Sequence, residues 1–489
     1  MAYGNDVVAA PGGITEAKDR DDIESSPSRS QEFYTEKNDQ DTEKKGGLND
    51  YPELGHEVTL QQGEHKFHKL GWKKLTICLI VEAIALGSLS IPKAFATLGM
   101  IPGVILCIGL GLLAIYTGFV VGEVKLKYPA IEHYADAVKL IWGKPGYELT
   151  GVMIALFLIL LVGSHALTGT IAFVNIIDKP DVCALVFGIV SAIILFAVAL
   201  PPTFSEFAIL GYIDFVSIIV AILITIIATG VQAHKSAHGL SGVDWHLWPQ
   251  PDVTLVEAFL ATTNIIFAYS FAVTQFSFMS EMHTPTDFRK SIWALGLIEI
   301  FIYTVTGALV YAFVGQDVQS PALLSAGPLI SRIAFGIALP VIFISGSING
   351  TVVGRYIMGR VFANSPIRFI NTPRAWGIWI ALIGVITLIA WIVAEAIPFF
   401  GDLLGIISAL FISGFSYYFP ALFWFQLLKQ GKWYSTWSNI WYSFVNGLVL
   451  IVGLVVLGLG TYASVQDIVD QYASGSVRGA FTCSQSALS

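Results

Sequence analysis

Residues 75–100 read LTICLIVEAIALGSLSIPKAFATLGM, and the reading of this run decides the fold. It is long enough to cross a bilayer, which takes about 20 predominantly apolar residues. Near its centre, however, stand Glu82 and the stretch Gly87-Ser-Leu-Ser-Ile-Pro92. In hydrocarbon every backbone N–H and C=O needs a partner. A stretch of this kind is tolerated there only where it faces protein or a wet cavity.

Ten more apolar runs follow, at about 101–124, 150–177, 183–200, 207–230, 254–280, 291–314, 329–354, 376–396, 398–424 and 438–462. The 489 residues are 55% hydrophobic and 13% charged, against about 25% charged in soluble domains. The apolar content comes as separate runs, which excludes one large soluble core. The reading is an all-α polytopic membrane protein with eleven transmembrane helices. It has a tail at 1–72, a transmembrane domain at 73–462 and a C-terminal tail at 463–489.

Residues 1–72 hold 15 of the 35 acidic residues and 8 of the 27 basic ones. The net charge of −8 is therefore mostly a property of this tail. Its few aliphatics cannot offset ordering entropy, so it is expected to be disordered. Lys18, Lys37, Lys44 and Lys45 lie there beside several Ser and Thr. The segment is either a plain solvated tail or a site for phosphate and for ubiquitin ligase machinery.

Lysine and arginine in the loops set orientation. With the N-terminus inside, the inner loops carry twelve, from Lys125 to Lys432. The outer loops and C-terminal tail carry Lys179, Lys235 and Arg478. The expectation is N-terminus cytoplasmic and C-terminus extracellular. Cys183 and Cys483 then share the outer side, where they can pair. In the inner loop 125–149, Ile131, Tyr134, Ala135, Val138 and Ile141 fall near helical spacing. That pattern predicts a short amphipathic helix along the cytoplasmic surface.

Carriers use breaks in membrane helices as substrate sites. The half-helix N-terminus offers free N–H groups and positive dipole to a carboxylate, and unwound carbonyls take an ammonium or a cation. Gly87 permits unusual dihedrals and Pro92 leaves a carbonyl one turn earlier without its donor. A proline kink with Ser88 and Ser90 bonded back to the helix would explain the same residues. Glu82 is an acid deep in a span, costing about 2.5–3.5 kcal/mol on insertion scales. It is either a packed, hydrogen-bonded group or a carboxyl that takes and releases a proton. Asp214 and Glu299 are weaker candidates of the same kind. His165, in the third segment, is either a proton-relay member or a buried histidine bonded to a carbonyl.

Segments 1–5 and 6–10 can be read as two five-span units, of which the second would be inverted because five is odd. Symmetry then places a second break in segment 6, at Phe267-Ala268-Tyr269-Ser270-Phe271, although no Gly or Pro stands there.

Four stretches carry a family resemblance: ALGSLSIPKAFATLGMIPG at 85–103, YPAIEHYADA at 128–137, FAYSFAVTQFSFMSEMHTPTDFRKS at 267–291 and AEAIPFFGDLLGIISALFISGFSYYFPALFWF at 394–425. Together they resemble the amino acid/auxin permeases, and within these the neutral amino acid permeases of filamentous fungi. The resemblance runs from about Gly71 to Tyr462. It implies a leucine-transporter-like 5+5 inverted repeat plus one helix, and proton-coupled amino acid uptake. Ser270-Phe271 stand where the family often has Gly-His.

The expected function is import of neutral amino acids, aliphatic and aromatic, with protons across the plasma membrane. The substrate carboxylate is expected on Gly87, Ser88 and Leu89, with Ser90 beside them, and the ammonium on carbonyls near Phe267 and Ala268. Tyr269, Ser270 and Phe271 would shape the pocket. Ser345, Ser347 and Asn349 face either that pocket or a neighbouring helix. Glu82 and His165 would handle the proton. Partners are then neutral amino acids, protons and the lipid bilayer, with no nucleic acid. No enzyme nucleophile, metal cluster or phosphate loop is visible, so no cofactor is expected. Other readings are an amino-acid sensor signalling through its tail, a vacuolar exporter, or a channel-like protein.

Overall fold

The computed structural model describes residues 71–485 except 180, 203, 237, 364 and 476–478. The side chains of Cys78, Glu82, Ala85 and residues 204–209 also lie outside that description. The tail expected at 1–72, with the ubiquitin attachment read onto its lysines, falls outside the described residues as far as residue 70.

Among the described residues every regular element is helical. The first helices are α1 (Trp72–Leu98), α2 (Met100–Lys127), α3 (Tyr134–Ile177), α4 (Ala184–Val198) and α5 (Phe204–Lys235). Then come α6 (Leu255–Ala268), α7 (Ala272–Ser280), α8 (Phe288–Val314), α9 (Pro328–Val361) and α10 (Pro373–Ala396). The last two are α11 (Phe400–Leu428) and α12 (Trp437–Ser474). This is an all-α polytopic membrane protein.

The span count differs from the eleven expected. Among the described residues nine helical stretches are long and apolar enough to cross a membrane; the bent α1 makes a tenth if its halves count as one. The remaining segment, 183–200, is the 15-residue α4. At about 22 Å it is shorter than the roughly 30 Å hydrocarbon core. An apolar run counts as a span by composition, but the helix ends at Val198 and leaves the last residues of this run outside it.

Gly99 ends α1. Its φ of +84° suits glycine, and a Cβ there would stand 2.6 Å from the backbone of Trp248. Residues 246–247 cover this turn, accepting from Met100 and Ile101 N–H at 3.0 Å. α3 kinks at Gly143 (φ 63°, ψ −149°). Its first turns are the predicted amphipathic helix, with the apolar face turned onto protein. Tyr134 is fully buried among Phe276, Phe415, Phe419 and Phe423, and donates to the Phe415 carbonyl at 2.6 Å. An aromatic pocket completes its burial where a lipid interface was expected.

α12 continues past residue 462 to Ser474, and Tyr472 donates to the Ala396 carbonyl at 2.9 Å. Cys183 and Cys483 form a disulfide. α1 packs on α6, α2 on α8, α3 on α9 and α4 on α10. Each of these pairs joins one segment to the segment five later.

Candidate functional site

α1 and α6 cross at Gly87. A Cβ on Gly87 would lie 2.8 Å from Ala268 Cα, closer than real contacts allow. Glycine is needed here for close approach of two backbones, not for an unusual dihedral as expected from sequence. The stretch 87–92 stays helical. Ser88 donates back to the Ile84 carbonyl at 2.8 Å and Ser90 to Gly87 at 3.0 Å; Leu89 is buried. α1 instead bends one turn earlier, where Trp72–Val81 and Leu86–Leu98 meet at 52°.

The other helix does open. α6 stops at Ala268, Tyr269 departs from helical geometry (φ −105°, ψ 42°), and α7 resumes at Ala272. The carbonyl freed at Ala268 accepts the Tyr303 hydroxyl of α8 at 3.0 Å. Tyr269 is tied down through its own hydroxyl, which donates to the Cys107 carbonyl at 2.8 Å. Gln275 anchors α7 to the Gly118 carbonyl at 2.8 Å. These side-chain donors and acceptors make a break affordable in a site without water. Phe267, Ala268, Tyr269, Ser270 and Phe271 are all buried. α11 faces this break with π-helical turns over Ser408–Tyr418, a geometry common at functional sites.

The polar stripe of α9 divides. Ser345 donates to the Val81 carbonyl at 2.9 Å, at the bend of α1, and lies 3.5 Å from His165 Nε2. Ser347 turns the other way, to the Leu195 carbonyl at 3.1 Å. Asn349 donates to Ser345 O at 3.1 Å, while its Oδ1 and His165 Nδ1 are buried without a hydrogen-bond partner among the described residues. The structure thus joins His165 and Ser345 to the residue before Glu82. The Glu82 side chain lies outside the described residues.

A cavity of about 830 Å³ opens at the Lys93 end of the bundle. Six carboxyl residues line it, Asp244, Asp252, Glu257, Asp317, Asp402 and Asp467, with Lys93 the one lysine. Gln471 Nε2 donates to both Asp402 (2.8 Å) and Asp467 (2.5 Å). Asn264, one turn before Ala268, lines the same cavity with its buried Oδ1 unpartnered among the described residues. The sequence reading missed these residues. Asp402 sits at the edge of an apolar run and Asp467 lies beyond the last one, so neither breaks a hydrophobic pattern.

The opposite end is held by ion pairs and hydrogen bonds. Glu281, next to α7, pairs with Arg355 of α9 at 2.5 Å, and Glu281 is buried. Lys125 donates to the carbonyls of Pro129 (2.9 Å) and Ile131 and to Ser280 Oγ (2.8 Å). His133 meets Ser277 Oγ at 3.0 Å and sits edge-on to Tyr356. Burial pushes the His133 pKa below its usual value, against the pull of Asp136 and Glu132 and with the help of Arg355 and Arg368.

A bent and an interrupted helix crossing below a cavity that opens at one end define a membrane carrier for small solutes. The chain belongs to the transmembrane amino acid transporter family, the amino acid/auxin permeases, whose model matches residues 68–466. It is an amino acid transporter and not an enzyme. It is 58% identical over 451 residues to the N amino acid transport system protein of Neurospora crassa, covering 92% of this chain and 96% of that one. It is 30% identical over 419 residues to a transmembrane transporter of Fusarium pseudograminearum (86% and 88% covered). A transmembrane transporter of Gibberella moniliformis is 29% identical over 420 residues, with the same coverage.

Proposed function

We propose that this protein imports neutral amino acids, aliphatic and aromatic, together with protons across the plasma membrane. The crossing of α1 and α6 at Gly87 and Ala268 carries the reading. It lies one to two turns below Lys93, Ala94 and Asn264, which line the cavity. When α1 and α6 part there, the substrate carboxylate meets the N–H groups of 87–90. The ammonium meets the carbonyls freed at 268–269. Phe267, Tyr269 and Phe271 supply an apolar wall, which suits uncharged side chains.

Eleven spans in a 5+5 inverted repeat follow when the bent α1 and the short α4 both count. The packing of segments 1 to 4 each on the segment five later supports that repeat. The cavity faces outward in this topology. The Cys183–Cys483 disulfide supports the same orientation, because disulfides persist outside the cytosol. Glu82 and His165 stand near the bend, the region that this reading gives to proton coupling.

The test is uptake of one labelled neutral amino acid in cells, with a panel of unlabelled competitors and a protonophore. Saturable, stereoselective uptake that falls as external pH rises is expected. Uptake that follows sodium and ignores pH would remove the proton from the reading. A tagged protein confined to the vacuolar membrane would turn the importer into an exporter.

A further inference from the structure

We propose that Asp214 of α5 carries the coupled proton, at the junction of α1, α5 and α9. This rests on the proton-coupled reading above and names the group that does the work.

Asp214 is fully buried, and neither carboxyl oxygen has a hydrogen-bond partner among the described residues. Its place follows from its neighbours on α5. One turn before it, a Cβ on Gly211 would stand 3.3 Å from Ile77 and 3.4 Å from Val81 of α1. One turn after it, Ser217 donates to the Ile337 carbonyl of α9. Asp214 therefore lies where α1 and α9 both meet α5. The bend of α1 falls at the same level, between Val81 and Leu86, and Ser345 of α9 is bonded to the Val81 carbonyl. By helical rise Asp214 stands about 15 Å from the Phe204 end of α5, and Val81 about 14 Å from the start of α1.

An aspartate kept for packing uses its oxygens as acceptors; among the described residues neither oxygen of this one has a donor. A carboxylate without partners in a dry site is the costly form, so the closed junction holds the neutral acid. Water reaching the junction stabilises the anion, and the proton leaves. Protonation and closure are then linked: COO⁻ takes H⁺ from water on one side, the junction closes over COOH, and H⁺ returns to water on the other.

The elements packed on α5 offer few competing groups. α1 bears Lys73 and Lys74, exposed at its start, Cys78 and Glu82, whose side chains are not described, and Lys93, in the cavity wall. Glu299 of α8 lies beside Tyr269 and Tyr303. On α9, Arg332 pairs with Asp178 and Arg355 with Glu281, at opposite ends of that helix. The short turns Gly239–Gly242 and Ala322–Ala326 carry no titratable side chain.

The experiment uses the full chain in proteoliposomes with an imposed pH gradient and a labelled neutral amino acid. One proton per substrate allows about ten-fold accumulation per pH unit. If the wild type accumulates nothing, or follows sodium alone, the proton-coupled reading fails and the assignment with it. If the wild type responds to pH, Asp214→Asn is expected to fall to simple equilibration while still exchanging substrate in counterflow. Asp214→Glu should keep gradient-driven accumulation with a displaced pH midpoint. Asp214→Asn that accumulates with the wild-type pH profile would overturn the proposal and leave the coupled reading standing, with Glu82→Gln the next variant. Loss of counterflow in both the Asn and the Glu variants would assign Asp214 to structure alone, and would also overturn it.

Discussion

α1 and the α6–α7 pair present opposite faces of one problem. α1 holds glycine, two serines and a proline in six residues, yet those residues remain helical. Residues 267–271 contain neither glycine nor proline, yet the helix opens there. Local propensity would rank them the other way. In a medium without water, what decides is who supplies the hydrogen bonds that an open turn gives up. Ser88 and Ser90 return theirs to the helix of α1. Tyr303 reaches across from α8 to Ala268, and Tyr269 reaches out to Cys107.

The harshest way to break this comparison is Gly87→Leu. A side chain cannot enter within 2.8 Å of the Ala268 backbone, so α1 and α6 must separate. Overpacking of this kind costs about 1–3 kcal/mol or more. We expect inserted protein with no measurable uptake; wild-type substrate affinity would remove the crossing from the site.

Tyr303→Phe acts on the opened helix alone. It leaves the Ala268 carbonyl buried without its donor, at a cost of about 1–3 kcal/mol. Thermal unfolding in detergent should begin at lower temperature, and the maximal uptake rate should drop several-fold more than KM rises. A variant with unchanged stability would show that another donor keeps the break open.

His133 sharpens the comparison through α7, whose end it holds at Ser277. Burial lowers its pKa from the ordinary value near 6.5. The folded state therefore binds fewer protons than the unfolded one. This contribution to stability is complete above about pH 6.5 and is lost as the pH falls below it. Wild-type thermal stability should decline on acidification through that window, and His133→Gln should flatten the decline. Parallel curves would place the pH dependence elsewhere.

Ser88→Ala should do least. Its hydroxyl bonds only within its own helix, so a change of less than about 0.5 kcal/mol is expected, with near-normal uptake. Uptake lost from a stably folded Ser88→Ala protein would mean that the hydroxyl meets substrate once α1 opens.

Much of the molecule was legible in residue order. Apolar runs and their breaks marked an all-helical membrane protein. The odd repeat pointed to 267–271 as the partner of 87–92, and the topology put Cys183 and Cys483 on one side. The acidic cavity was not legible, because Asp402, Asp467 and Gln471 are ordinary residues at or beyond segment edges until α11 and α12 bring them together. Nor was the role of Gly87, since a sequence shows that glycine permits something without showing what lies 2.8 Å away.

By itself, then, the sequence determined that this is an all-helical membrane protein and which polar residues fall within its apolar runs, because the cost of transfer into hydrocarbon depends on composition. Only the tertiary structure decided which helix opens, which glycine is a contact, and which buried carboxyl stands without a hydrogen-bond partner among the described residues. Those outcomes depend on donors and backbones supplied by helices distant in the chain, and no local pattern encodes them.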